Sequence, residues 1–127
     1  MKIVCTSGYF NPLHIGHLNL LKEAKALGDY LVVIVDNDEQ VKLKGGKPFM
    51  NQEERMEIVK AIRYVDKVVL SIDKDRTITQ TLKSISPDIF AKGGDSTPEN
   101  TPEKDLGIEV VYGVGGDKVQ SSSWLKQ

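Results

Sequence analysis

The chain has 127 residues, 39% of them hydrophobic, which suffices for one packed core under two helical layers and leaves no room for a second domain. Its 17 basic residues are matched by 18 acidic ones, and a formal charge of -1 excludes a global basic field that would collect nucleic acid, so any phosphate recognition has to be local. One cysteine, Cys5, excludes an internal disulfide, and the absence of a CxxC or His/Cys grouping argues against a structural zinc site. With no leader-like N-terminus and no apolar stretch of membrane-spanning length, residues 1–127 read as one soluble, unprocessed cytoplasmic domain with no membrane or nucleic-acid partner.

In chain order, Ile3 to Cys5 is a short β-branched-rich run and reads as the first strand. The turn after it leads into a helix, with Asn11 as the expected cap, Pro12 in the first turn, Leu13, Leu20, Leu21, Ala24 and Leu27 at helical spacing, and Gly28 as the stop. Tyr30 to Val35 reads as the second strand; Asp38 to Pro48, rich in lysine and glycine, lacks periodicity and reads as a substrate-facing loop. Asn51, with Glu54 three residues later, signals the start of a second helix carrying Met56, Val59 and Ile62. Val68 to Ile72 is the third strand, and Ile78, Leu82 and Ile85 mark the third helix. Asp88 to Ala91 and Glu109 to Tyr112 are the last two strands, separated by an irregular segment from Asp95 to Leu106. Alternation of this kind predicts an α/β, Rossmann-like, doubly wound sheet of five parallel strands with ligands beyond the carboxyl ends of its strands.

The strongest chemical signal runs from Ser7 to His17. Gly8 allows close approach of backbone to a ligand, and the free amides of the helix start favour an anion. His14 and His17, the chain's only histidines, stand three apart and address one side of the first turns, with Gly16 leaving space between them. Two imidazoles donating to α- and β-phosphate oxygens would stabilise the charge that grows during in-line attack at phosphorus, a chemistry of positioning and electrostatics. Zinc binding by the pair lacks a third ligand at useful spacing. Lys44 and Lys47, in a glycine-bearing loop, could neutralise an acceptor phosphate and a triphosphate, and Arg55 could contact phosphate bidentately. Gly93 and Gly94 leave room for a base or ribose, Asp95 could accept from ribose hydroxyls, and Ser121, Ser122 and Ser123 could hold β- and γ-phosphates at a helix start.

The turn resembles the G-x-F-D-x-x-H-x-G-H signature of the cytidylyltransferase-like nucleotidyltransferase superfamily. The likeness continues through Leu43-Lys44-Gly45-Gly46-Lys47-Pro48, Glu54-Arg55-Met56 and Val65-Asp66-Lys67-Val68-Val69. Pro87-Asp88-Ile89-Phe90-Ala91-Lys92-Gly93-Gly94-Asp95 is similar to the adenylyltransferase domain of heptose 1-phosphate enzymes, and Ser121-Ser122-Ser123 to the start of the family's last helix. The resemblance implies transfer of a nucleoside monophosphate from an NTP, with ATP favoured over CTP, to a phosphorylated sugar or polyol, with Mg2+ accompanying the NTP and a homodimer as the assembly. It implies catalytic roles for His14, His17 and Lys44, with Lys44 on the acceptor phosphate. It places Gly8, Tyr9, Phe10, Gly16, Lys47, Arg55 and Arg63 against the nucleotide, with Asn11 facing substrate. Glycerol-3-phosphate cytidylyl transfer, adenylyl transfer to a flavin or pantetheine phosphate, and a catalytically idle nucleotide-binding module are the alternatives.

Two departures bear on activity. The family usually has aspartate where this chain has Asn11, and no arginine precedes the serine run, where Lys118 is the nearest cation. Class I aminoacyl-tRNA synthetases share the H-I-G-H string, but no K-M-S-K-S-like segment or anticodon-binding domain accompanies it here.

Overall fold

The structure is a computed structural model, which describes residues 1–94 and 96–116. Five strands form one all-parallel sheet: β1 (Ile3–Gly8), β2 (Tyr30–Val35), β3 (Lys67–Leu70), β4 (Ile89–Ala91) and β5 (Glu109–Val111). Their order is β3-β2-β1-β4-β5, so the direction of winding reverses between β1 and β4, where a crevice opens at the carboxyl ends. Four helices accompany them: α1 (Ile15–Ala26), α2 (Asp38–Leu43), α3 (Gln52–Lys60) and α4 (Thr79–Ile85).

The near-continuous apolar run of β2 is explained by burial on both faces, which removes the polar half of the usual strand alternation. Val4, Leu31, Val33, Val35, Ile89 and Ala91 point to one side and pack with Leu21, Ala24 and Val59 of α1 and α3. Cys5, Val32, Ile34 and Phe90 point to the other and pack with Ile78 and with Leu82 of α4. Register pairs Cys5 with Val32 on one flank and with Phe90 on the other, so this second layer is a cross-strand stripe.

Three local expectations are corrected. First, α1 starts at Ile15 with His14 as its cap, because the Asn11 side chain is committed elsewhere, as described below. Second, residues 38–43 are helical: Asn37 Oδ1 accepts from Gln40 N at 2.9 Å and Gln40 Oε1 accepts from Asn37 N at 3.0 Å, a reciprocal capping box that starts a helix without apolar periodicity. Third, the segment between β4 and β5 contains two 3-10 turns, Pro98–Asn100 and Pro102–Leu106, each with proline at its start. The expected cap of the second helix holds, with Asn51 Oδ1 accepting from Glu54 N at 2.8 Å.

Gly28 does more than stop α1. A Cβ there would lie 2.7 Å from Val4 Cγ2 and 2.8 Å from the Lys2 carbonyl oxygen, so the first strand can approach this turn only beside glycine. Gly28→Ala is expected to cost about 1–3 kcal/mol through forced displacement of β1. A thermal unfolding midpoint equal to that of the parent chain would contradict this packing account.

Candidate active site

The carboxyl end of β1 delivers Gly8 to the crevice, and the chain then turns through Tyr9 and Phe10. Phe10 takes a left-handed backbone conformation, φ 51°, and buries its ring against the His17 imidazole, centroids 4.8 Å apart in edge contact. A Cβ at Gly8 would stand 3.0 Å from Phe10 Cζ, so the space this glycine leaves is taken up by the ring that backs His17.

The two histidines fix each other at the helix start. His14 Nδ1 accepts from Gly16 N, and His17 Nδ1 accepts from His14 N, both at 3.1 Å. A backbone amide can only donate, so both Nδ1 atoms are unprotonated, and each neutral ring carries its hydrogen on Nε2. The rings stack with centroids 3.9 Å apart and an interplanar angle of 26°. Burial first, then the neighbouring His14 and Lys44, push the His17 pKa down to about 3, so this ring is neutral at physiological pH. The pair is thus preset as neighbouring Nε2–H donors, the polarity that a phosphate oxygen requires.

Lys44 closes α2 as its C-cap residue, and its ammonium lies 4.4 Å from the centroid of the Tyr9 ring. Its position depends on α2, which is anchored from below by Gln40: this buried amide donates to the carbonyls of Asp75 at 2.8 Å and Thr77 at 2.9 Å. Burial first, then Asp36, raise the Tyr9 pKa, while a hydrogen bond with Arg76 opposes them, which brings the loop after β3 to the same region. His14, His17, Tyr9, Phe10 and Lys44 therefore meet at one end of the sheet.

Asn11 is 1% exposed and acts as a clasp between two loops. Its Nδ2 donates to the Lys47 carbonyl at 2.9 Å and its Oδ1 accepts from Phe49 N at 2.7 Å. Both halves of the amide are used, and together they position the loop that follows Lys44. Aspartate at this place would accept from Phe49 but present an unpaired oxygen to a carbonyl. Asn11→Asp is expected to cost about 1–3 kcal/mol of stability, read by denaturant unfolding. A midpoint unchanged or raised would remove the clasp from the account.

Arg55 also departs from expectation. Its side chain is 0% exposed, and its hydrogen bonds go to protein: Nε to the Met50 carbonyl at 3.1 Å, Nη1 to the Tyr9 and Asp36 carbonyls at 2.7 Å each, and Nη2 to Asp38 Oδ1 at 2.7 Å. A guanidinium so enclosed ties the ends of β1 and β2 to α2 and α3 and does not present a fork to phosphate. Arg63 is exposed in the turn after α3, close to Asp66, whose amide bonds the Leu31 carbonyl at the start of β2. The length of β2, roughly 16 Å at about 3.3 Å per residue, separates that end of the sheet from its carboxyl end, where the histidines lie.

Of the remaining sequence candidates, Lys47 is exposed beyond α2 and Gly16 lies in the first turn of α1. Gly93 and Gly94 follow β4, and a side chain at Gly93 would meet nothing within 4 Å, so the space beside that backbone is open. Asp95, Lys118, Ser121, Ser122 and Ser123 lie outside the described residues. Among the described residues no group of three or more His, Cys, Asp or Glu side chains could hold a metal, and no helix is long and apolar enough to cross a membrane.

Sequence reasoning passed over Asp36, which follows β2 directly and is buried. Burial raises its pKa to about 7 against the pull of Arg55, Lys92 and Lys44, with Glu103 adding to the rise. Its place at the carboxyl end of a central strand was the available signal. Glu103, 4% exposed on a 3-10 turn, had none, because irregular segments carry no periodicity from which burial can be read.

Residues 5–123 match the family model described as cytidylyltransferase-like. The chain is 45% identical over 134 aligned residues to FAD synthase of Pyrococcus abyssi, the alignment covering 98% of this chain and 90% of that one. It is 40% identical over 117 residues to the bifunctional protein HldE of Desulfatibacillum aliphaticivorans, covering 91% of this chain but spanning only 23% of that longer protein. Among solved structures, the lipopolysaccharide core biosynthesis protein from Thermoplasma volcanium superposes with a TM-score of 0.79 at 30% identity, covering 93% of this chain and 99% of that one. With the histidine pair at the mouth of the parallel sheet and a family match over nearly all of its length, this chain belongs to the cytidylyltransferase-like family of nucleotidyltransferases.

Proposed function

We propose that the chain transfers a nucleoside monophosphate, with ATP as the favoured donor and CTP as the other candidate, to a phosphorylated sugar or polyol. The observation that carries this reading is the bonding of both Nδ1 atoms, that of His14 to Gly16 N and that of His17 to His14 N, which leaves two Nε2–H donors side by side at a helix start. In the reaction an acceptor phosphate oxygen attacks the α-phosphorus, one P–O bond forms, the bond to the β-phosphate breaks, and pyrophosphate leaves. The two imidazoles donate to the oxygens on which charge grows, and the Lys44 ammonium holds the acceptor phosphate. No protein base is required, because a phosphate monoester is largely ionised at neutral pH. Magnesium belongs to the substrate in this reading, entering as the metal complex of the triphosphate. Gly93, Gly94 and Asp95 are assigned to the nucleotide's base and ribose, and Ser121, Ser122 and Ser123 to its β- and γ-phosphates. A homodimer and a cytoplasmic location complete the proposal.

A second reading, adenylyl transfer to a flavin phosphate, is favoured by the 45% identity to an FAD synthase across 90% of that protein. A coupled pyrophosphate-release assay across four nucleoside triphosphates and a panel of sugar, polyol and flavin phosphates tests both. Release with ATP and a sugar or polyol phosphate is the expected result, and release only with flavin phosphate selects the second reading. Tight ATP binding with no release for any acceptor would leave a nucleotide-binding module.

A further inference from the structure

Two carboxylates at the crevice are buried without full partners. Asp36 is 5% exposed and Glu103 4%, and among the described residues Asp36 Oδ1 and Glu103 Oε2 have no hydrogen-bond partner. Such atoms are costly unless something supplies a donor. Both face the same side of the sheet. Asp36 continues β2 in phase with Val32 and Ile34, its amide bonded to the Gly8 carbonyl, while Glu103 Oε1 accepts from Ile78 N at 3.4 Å, and Ile78 packs in that same layer. Lys92 follows β4 in phase with Phe90 and folds its ammonium over that ring, 5.2 Å from the centroid. The carboxylates thus lie on the α4 side of the crevice, and the histidine pair lies on α1, which packs against the opposite face.

The chemistry of this corner is selective. Two buried carboxyl groups disfavour an anion beside them, so the charged part of a ligand is directed away from them. Arg55, Lys92 and Lys44 already act on Asp36 as compensating cations, which makes a further divalent cation a poor occupant. What an unpartnered carboxylate oxygen lacks is an N–H or O–H donor. Lys44, assigned to the acceptor phosphate, lies close enough to Asp36 to influence it, so the group that reaches Asp36 and Glu103 belongs next to that phosphate.

Resting on the transferase reading above, we propose that Asp36 and Glu103 form a specificity subsite that accepts hydrogen bonds from hydroxyl groups of the acceptor, and that the acceptor is a polyol phosphate. The subsite selects against phosphate esters whose adjoining chain is an alkyl group, because these would bury two carboxylate oxygens and leave them without donors. Nucleotide ribose also offers hydroxyls, and the test separates the two sources.

Binding of glycerol phosphate, ribitol phosphate and a heptose phosphate is measured by calorimetry against propyl and pentyl phosphates, with the parent chain, Glu103→Met and Asp36→Leu, which remove the acceptor oxygens. At least one polyol phosphate should bind about 10- to 100-fold more tightly than its alkyl counterpart, and both variants should reduce that gap to within about threefold without moving NTP affinity. Equal binding of polyol and alkyl phosphates, a gap that survives in both variants, or a loss confined to the NTP would overturn the subsite. Should neither variant fold, the polyol-to-alkyl comparison on the parent chain decides alone. Pyrophosphate release from added NTP in the same samples keeps the two claims apart: selective polyol binding without release sinks the transferase reading alone, and release at equal rates with polyol and alkyl esters as acceptors sinks the subsite alone.

Discussion

Replacing His17 with alanine is expected to lower kcat by about two to three orders of magnitude, the loss typical of one oxyanion donor, while leaving the KM for NTP within a few-fold. The His17 Nδ1 also accepts from His14 N, so alanine removes a donor to substrate and an acceptor for the helix start together. His17→Asn separates the two, since an amide can accept from His14 N and still donate, and it should recover about tenfold of the lost rate. Equal turnover in the parent and alanine chains would remove His17 from the mechanism. Because the His17 pKa lies near 3, the ring is neutral throughout pH 6–8, and no loss of rate in that interval should trace to it.

The same depressed pKa makes a stability statement. Between about pH 6.5 and 3 the unfolded state binds a proton that folded His17 refuses, so this residue weakens the fold progressively as pH falls through that window. Asp36 acts in the opposite sense: its folded pKa of about 7 exceeds the ordinary 3.8, so its contribution to stability grows as pH falls from 7 towards 4. The two partly cancel. Unfolding midpoints of His17→Ala between pH 4 and 6.5 should therefore fall less steeply on acidification than those of the parent chain.

The largest expected effect on stability belongs to Arg55→Met. The substitution keeps much of the apolar stem but abandons three carbonyl oxygens and one carboxylate oxygen that the guanidinium now satisfies. Loss of one partner from a buried ion pair typically costs about 3–5 kcal/mol, which for a chain of this size lowers the unfolding midpoint by roughly 10–20 °C. Asp38→Asn, with its side chain 28% exposed and its oxygen retained, should cost far less. If Arg55→Met left the midpoint in place and raised only the KM for NTP, Arg55 would be a phosphate contact after all.

How much of this was legible without coordinates varies with the physics of each element. The β2 run Tyr30 to Val35 declared a strand covered on both faces, and the histidine pair announced itself by falling within one helical turn at the end of β1. Lys44 was visible too, although the helix that carries it was not, since Asp38 to Leu43 has charge at half its positions and no apolar periodicity, and reveals itself only through the Asn37 and Gln40 capping pair. Arg55 misled because arginine on a short amphipathic helix is ordinarily solvated; only the convergence of Tyr9, Asp36, Asp38 and Met50, up to 46 residues away in sequence, makes a buried guanidinium stable there. Asn11 was seen as a missing aspartate, and its use of both amide atoms required knowing where Lys47 and Phe49 fold back. Asp36 and Glu103 come from separate segments, so their nearness is a tertiary fact.

The central claim is attack at the α-phosphorus between two imidazole donors. It is tested most directly by phosphorus NMR of the products formed from magnesium ATP and the preferred acceptor phosphate, with the acceptor oxygens labelled with oxygen-18. The account predicts pyrophosphate and a nucleoside diphosphate ester in equal amounts, the label bridging the two phosphorus atoms of the ester, and a rate about two to three orders of magnitude lower in His17→Ala. Appearance of ADP in place of pyrophosphate, or label confined to unreacted acceptor, would contradict it.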